Sequence, residues 1–384
     1  MAGKRVIILG GGIGGVVAAN ALHRLLGKEH RVTVIDRRPK HSFTGSYLWV
    51  MNGWRTAEQT ERQLDRLSRK GIEFIRGEVT SIDAAGSKVT VDGREMGYDY
   101  LVVSLGADLD PGSIPGLSRA GLNIYTLDGL TEANRSLRSF SGGRVVIAIC
   151  RMPYKCPAAP YEAAMFVDSM LKANGVREKS EIEIVTWEPA PMPVAGSDMG
   201  KAVLSMTESK GIKYTPNSTI TSVEPEDNKV VLEGAEPVPF DLLLAVPPHK
   251  CAQVIQDAGL TGEGGWVPVD PGTLTTGYEN LFVIGDATAV KLPNGKMLPK
   301  AGVFAHKHAE TVAHEIAAAV KGKPAPKPYD GLGYCFVELG DGTAGFAKGN
   351  FYQEPGPTIK AKAPSKMLHW QKVMFEKYWF WRYL

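Results

Sequence analysis

Cysteine is scarce in this chain. Four in 384 residues, Cys150, Cys156, Cys251 and Cys335, are too few for a disulfide scaffold, and none stands in a Cys-x-x-Cys pair spaced for structural zinc. Each thiol therefore needs its own account. Long apolar runs are missing as well: no uncharged stretch approaches the roughly 18 residues a bilayer-spanning helix needs. Charge of one sign is not in excess. With 44 Lys and Arg against 41 Asp and Glu the net charge is +3, too small to argue for nucleic acid, and no basic stripe is interleaved with aromatics outside the C-terminus. Internal repeats are absent, and the one short biased segment is a Lys/Pro stretch at 321–328. The first strand pattern begins five residues after Met1, from which no secretory signal is expected. What remains, 43% hydrophobic and 22% charged, is the composition of a globular chain with a full core and two or three domains.

Glycine, by contrast, is concentrated where it carries chemistry. Val6-Ile7-Ile8-Leu9 reads as a buried strand, Gly10-Gly11-Gly12-Ile13-Gly14-Gly15 fits G-x-G-x-x-G, and an Ala/Leu-rich helical stretch follows to about Leu26. Gly10 allows the tight turn, Gly12 lets the backbone approach a pyrophosphate, and Gly15 permits close helix-strand packing. The free amides of the helix N-terminus face the phosphates. The next strand, residues 31–35, ends in Asp36, where a carboxylate takes ribose hydroxyls. Two later segments bear on which dinucleotide binds. Tyr98 to Ala107, with Gly106 in its small-residue turn, and Asn280 to Ala287, with Gly285 and Asp286, resemble the returning strand and the late cofactor motif of FAD-binding flavoproteins. All three segments point to FAD rather than NAD alone. The alternative for Asp286, an N-cap for the helix beginning near Gly302, is the poorer account because residues 291–298 intervene as a loop.

A second strand, residues 145–149, leads into Tyr154-Lys155-Cys156-Pro157-Ala158-Ala159-Pro160-Tyr161-Glu162 and then a helical run over 161–170. The strand-turn-helix frame of a second nucleotide-binding half is kept while its glycines are gone. Cys150, at the end of an apolar strand, and Cys251 read as packed small hydrophobes. Cys156 and Cys335 stand in loop contexts. Lys155, and a helix start just after Cys156, are expected to lower that thiol's pKa. His306 and His308 read as structural, and His249, beside two prolines, as exposed.

These motifs resemble those of the sulfide:quinone oxidoreductase and flavocytochrome c sulfide dehydrogenase flavoproteins. The resemblance runs nearly the whole length: the glycine loop, Cys-Pro-Ala-Ala-Pro-Tyr-Glu, Gly285-Asp286, Pro299-Lys300-Ala301-Gly302, the late Gly331-Leu332-Gly333-Tyr334-Cys335 segment and the aromatic tail. It implies an α/β fold of two Rossmann-like dinucleotide-binding domains, glutathione-reductase-like, with an amphipathic helical tail. The expected divisions are 1–110 and 266–328 for the FAD domain, 111–265 for the second domain carrying Cys156, and 329–384 for the region of Cys335 and the tail. It further implies a redox-active disulfide between Cys156 and Cys335 over the flavin, with Glu162 as acid/base. Hydrosulfide attacks a disulfide sulfur readily, leaving a persulfide on one cysteine and a thiolate on the other. Burial is expected to raise the Glu162 pKa toward neutrality, and Lys300 with the helix start at Gly302 to stabilise reduced flavin. The early cysteine that carries a covalent flavin in the flavocytochrome branch has no counterpart in residues 41–48, so the FAD is expected to be non-covalent. No metal is implied.

In the tail, Met367, Trp370, Met374, Tyr378 and Trp381 share one helical face, and Leu368, Phe375, Trp379 and Tyr383 make a second apolar strip. One strip suits the protein body. The other, edged by Lys372, Lys377 and Arg382, suits a membrane interface, which gives access to quinone and makes the chain a peripheral membrane protein. A homo-oligomer contact is the alternative occupant. Competing functions are a type II NADH:quinone dehydrogenase, which needs a glycine-rich loop where residues 150–160 stand, and a flavin-binding redox sensor without turnover.

Overall fold

The structure, a computed structural model, describes residues 3–384. Its first half is built on a parallel sheet in the order Leu281–Val283, Tyr100–Val103, Arg5–Leu9, Arg31–Asp36, Glu73–Arg76. The central strands are continuously apolar because both faces are covered, as parallel sheets require. Val6 and Ile8 pack against helices Ile13–Leu26 and Gly302–Val320, while Ile7 and Leu9 face a three-stranded meander (Val79–Asp83, Lys88–Val91, Arg94–Gly97) and Trp266.

The second half repeats the plan: Gly121–Asn123, Leu242–Val246, Gly143–Ile149, Ser180–Thr186, Ile212–Thr215, again all parallel. Helices Leu127–Arg138 and Ala159–Ala173 cover one face, and a second meander, beginning at Ile220–Glu224, covers the other. The chain crosses between the halves twice. The two crossings pair antiparallel, Ala107–Leu109 with His249–Cys251, as a short ribbon.

An antiparallel sheet of Leu332–Glu338, Ala344–Asn350 and Thr358–Ser365 then leads into the tail helix, Lys366–Tyr383, capped by the Ser365 hydroxyl accepting from the Leu368 amide at 3.3 Å. The tail helix folds back on the first half. The Trp379 indole donates to His41 Nε2 at 2.9 Å, which leaves His41 Nδ1 to donate to the Gly11 carbonyl at 2.8 Å. Glu376 accepts from Arg55 at 2.8 Å and from the Ser46 hydroxyl at 2.6 Å, and Asn20 donates to the Tyr383 carbonyl. Leu368, Trp379 and Tyr383 are buried and Phe375 partly so, whereas Met367, Trp370, Met374, Tyr378 and Trp381 are exposed, Trp381 by 75%. Among the described residues, no helix is long and apolar enough to cross a membrane.

Candidate active site: a dinucleotide cradle beside two thiols

The cradle begins at the glycine loop. Gly10 has φ 101°, and a Cβ there would strike the Ser104 carbonyl; one on Gly15 would strike the Gly10 carbonyl oxygen, so the turn and the helix-strand approach both require glycine. Gly12 and Gly106 face open space instead, which leaves backbone free for a ligand to approach. Helix Ile13–Leu26 has no side-chain cap over its first amides. Asp36 is buried and accepts from the Gly11 amide at 2.7 Å, which fixes the carboxylate at the loop. Gly285 opens a single turn of 3₁₀ helix, and its amide donates to His308 Nδ1 at 3.3 Å. Asp286 is raised in pKa by burial, and its Oδ1 is buried without a hydrogen-bond partner. An orphaned carboxylate oxygen and two open backbone approaches fit the polar ribityl and pyrophosphate parts of FAD. Gly302 begins the late helix against Ile13, so two helix N-termini meet at this site.

Lys300 joins the cradle to the thiols. Its backbone carbonyl accepts from the Cys156 amide at 2.6 Å, and its neighbourhood pairs with Lys155 as a parallel bridge. Its ammonium donates to the Asp286 and Thr288 carbonyls at 2.6 and 3.2 Å and lies 3.4 Å from the Trp266 ring centroid; burial lowers its pKa to about 8. The charge is thus held by the late motif's own backbone.

Cys156 sits in the turn between Gly143–Ile149 and Ala159–Ala173 with φ 48°. Cys335 lies on strand Leu332–Glu338, opposite Ala347, with its Sγ 3.1 Å from the Phe336 carbonyl. All four cysteines are thiols in this structure. Burial pushes the Cys156 thiol well above its ordinary pKa, and the charges of Cys335 and Glu162 push it further; burial and Glu162 lift Cys335 to about 12. Glu162, in the first turn of its helix, is buried, and its Oε1 accepts from the Glu338 amide at 2.7 Å. Lys372 of the tail helix stands 3.7 Å from that oxygen and 3.6 Å from Glu338, which also pairs with His369 at 3.0 Å. Burial raises the Glu162 pKa while Lys372 opposes the rise.

The corresponding crevice of the second half is filled by the protein itself. Glu188, two residues past strand Ser180–Thr186 as an acid in a ribose-binding position would be, accepts from Tyr154 at 2.9 Å and Tyr161 at 2.5 Å. Burial lifts its pKa to about 7.

The model of the pyridine nucleotide-disulphide oxidoreductases matches residues 4–309. The chain belongs to that family. This pyridine nucleotide-disulphide oxidoreductase is an FAD-dependent enzyme. It is 28% identical to a sulfide-quinone reductase of Aquifex aeolicus over 99% of this chain and 91% of that one, and 24% identical to the mitochondrial sulfide:quinone oxidoreductase of Mus musculus over 92% and 80%. The X-ray structure of the Aquifex aeolicus sulfide:quinone oxidoreductase superposes with a TM-score of 0.89, covering 99% of this chain and 91% of that one.

Four expectations for this oxidoreductase are corrected. Cys335 is on a strand, its register set by seven paired residues, not in a loop. The thiol of Cys156 is raised in pKa, not lowered, because desolvation outweighs the helix start and because Lys155 Nζ donates to the Ala107 carbonyl at 3.1 Å instead of facing the sulfur. His249 is buried, its Nδ1 2.8 Å from the Pro247 carbonyl and its ring edge-on to Tyr125, since the crossing ribbon carries it inward. Lys372 does not edge the outer strip: its side chain is only 11% exposed and turned to Glu162 and Glu338. Lys372 and Glu188 are the site groups the sequence reading missed. A lysine within an otherwise inward helical register was the available signal for the first, and an acid two residues past a parallel strand for the second.

Proposed function

We propose that this enzyme is a sulfide:quinone oxidoreductase working through a Cys156–Cys335 disulfide beside non-covalent FAD. One observation carries the reading: the turn that would hold glycines in a second nucleotide-binding half instead hydrogen-bonds Cys156 to Lys300 at the cradle, in one charge cluster with Cys335, Glu162 and Lys372. In the oxidised pair, hydrosulfide attacks Cys156; the Cys156–Cys335 bond breaks, a persulfide bond forms on Cys156, and Cys335 leaves as thiolate near the Lys372 charge. A second hydrosulfide takes the outer sulfur away as a disulfane anion and leaves Cys156 as a thiol. Reclosing the pair then releases one proton and two electrons, so two hydrosulfides yield one disulfane anion, one proton and an electron pair. Glu162, its pKa raised by burial, accepts the proton from Cys156. Held by the glycine loop, Asp36 and Asp286, bound FAD would supply the two-electron acceptor between the thiol pair and quinone.

A groove of about 410 Å³ lined by Tyr334, Phe336, Phe346, Lys307 and Phe375 supports a quinone site on the far side of the Cys335 strand, where flat aromatic walls suit a quinone ring. The exposed strip of Met367, Trp370, Met374, Tyr378 and Trp381 supports contact with a membrane surface, because exposed Trp and Tyr on an apolar helix face are at home in the interfacial layer. Gly10, Gly12, Gly15, Asp36, Gly106, Gly285, Asp286 and Gly302 form the FAD cradle in this reading, and Lys300 orders it.

Anaerobic titration of the purified yellow protein tests the proposal. Bleaching by sulfide and recovery with a soluble quinone analogue is the expected outcome. Bleaching by NADH alone would transfer the enzyme to the NADH:quinone dehydrogenases, and bleaching by sulfide without quinone-dependent recovery would make it a sensor. Flotation with liposomes tests the tail; a dimer or higher species that hides Trp370 and Trp381 from vesicles would assign that strip to an oligomer.

A further inference from the structure

The loop that carries Cys156 is tied at both ends to a single carboxylate oxygen. Glu188 is completely buried, and its Oε2 accepts the hydroxyl of Tyr154, two residues before Cys156, at 2.9 Å and that of Tyr161, five residues after it, at 2.5 Å. The main chain that carries this carboxyl is itself fixed: the Glu188 amide donates to Thr186 Oγ1 at 3.1 Å and the Tyr214 hydroxyl to the Glu188 backbone carbonyl at 3.3 Å. Tyr154 and Tyr161 are also among the most deeply buried side chains of the molecule. Between them the chain needs holding. Cys156 has φ 48°, a left-handed conformation that residues with a Cβ adopt reluctantly, and the turn around it is further tied by the Cys156 amide donating to the Lys300 carbonyl at 2.6 Å, the Ala159 amide to the Cys156 carbonyl at 2.9 Å, the Tyr125 hydroxyl to the Lys155 carbonyl at 2.6 Å and Lys155 Nζ to the Ala107 carbonyl at 3.1 Å.

We infer that Glu188 is a positioning residue for the thiol pair: by accepting both phenols it fixes the span between the two ends of the 154–161 loop, and so holds the Cys156 sulfur within bonding reach of Cys335. The inference rests on the disulfide reading above. It also assigns the strand-end carboxylate a task inside the protein, which removes it from ribose binding.

The test uses the reduced holoenzyme, oxidised anaerobically with diamide, with closure of the Cys156–Cys335 bridge followed by peptide mass spectrometry. Since a misplacement of about 1 Å commonly costs tenfold or more in rate, Glu188→Ala is expected to close the bridge at least about tenfold more slowly than the unmodified enzyme. Glu188→Gln keeps an oxygen that can accept both phenols and is expected to close within about threefold of the unmodified rate. Closure by Glu188→Ala at the unmodified rate overturns the inference, and so does a Glu188→Gln rate as slow as that of the alanine variant. Should the alanine variant not accumulate as folded holoenzyme, Tyr154→Phe decides: it removes one of the two leashes and is expected to slow closure at least about threefold, and an unchanged rate overturns the inference. Failure of the unmodified enzyme to form the bridge at all would sink the disulfide reading itself, whereas a bridge that forms equally fast in every variant sinks only the role of Glu188.

Discussion

The two halves of this molecule start from one plan and part at a single turn. In each, a parallel sheet is covered by helices on one face and a meander on the other, and in each a strand runs through a turn into a helix while the neighbouring strand ends near a carboxylate. In the first half the turn is Gly10 to Gly15, backbone stands open at Gly12, and Asp36 is held at the loop. In the second the turn carries Tyr154, Cys156 and Pro157, and two phenols cover Glu188. The comparison teaches that a dinucleotide site is a property of backbone accessibility. Side chains placed in the turn close the crevice and convert the same frame into a mount for the Cys156 thiol.

Breaking the second half's chemistry should have the largest effect. Cys156→Ser should lower sulfide-dependent quinone reduction by at least about a thousandfold with flavin content unchanged, measured by steady-state assay and absorbance. Breaking the first half's openness comes next. Gly12→Val places a side chain in free space as far as the protein is concerned but in the way of the pyrophosphate, so flavin retention should fall by about a hundredfold while the far-ultraviolet circular dichroism stays that of the folded chain. Glu162→Gln keeps the acceptor for the Glu338 amide and loses the proposed base; turnover should drop about a hundredfold. Lys372→Met should cost about tenfold and, because the cation that opposes the rise in the Glu162 pKa is gone, should shift the acid limb of the pH-rate profile upward. The smallest effect sharpens the contrast between Asp36 and Glu188. A carboxyl lifted from 4.5 to about 7 binds more protons folded than unfolded, so its contribution to stability is full below its unfolded pKa and is lost as pH rises toward 7. Glu188→Gln should flatten the fall in denaturant midpoint between about pH 5 and pH 8.

Much of this could be read from residues alone, because the deciding signals are local. The glycine loop and the Cys156 turn each lie within one strand-turn-helix segment, and Asp36 and Gly285-Asp286 at the ends of strands, where sequence neighbours are also spatial neighbours. The tail's two faces followed from helical spacing, and the structure separates exposed Met367, Trp370, Met374, Tyr378 and Trp381 from buried Leu368, Trp379 and Tyr383 along that division. What escaped depends on partners distant in the chain. Lys372 looks like a rim lysine until Glu162 and Glu338 are brought to it by folding, and His249 looks exposed until the ribbon with residues 107–109 turns it inward. The direction of the thiol shift escaped for another reason: desolvation, its largest cause, is a property of the packed site, while the neighbouring Lys155 and the helix start that sequence shows have the opposite sign.

The tail helix also sets a rule for handling the enzyme. Through Trp379 and His41 it grips the Gly11 carbonyl, and through Lys372 it places a cation beside Glu162 and Glu338, all from the flank opposite its exposed apolar one. Cutting the chain before Lys366 would therefore remove the contacts to His41, Glu162 and Glu338 along with the exposed strip. Exchanging the outward tryptophans for polar residues, with the helix left in place, would alter the exposed strip alone and keep the inward contacts intact.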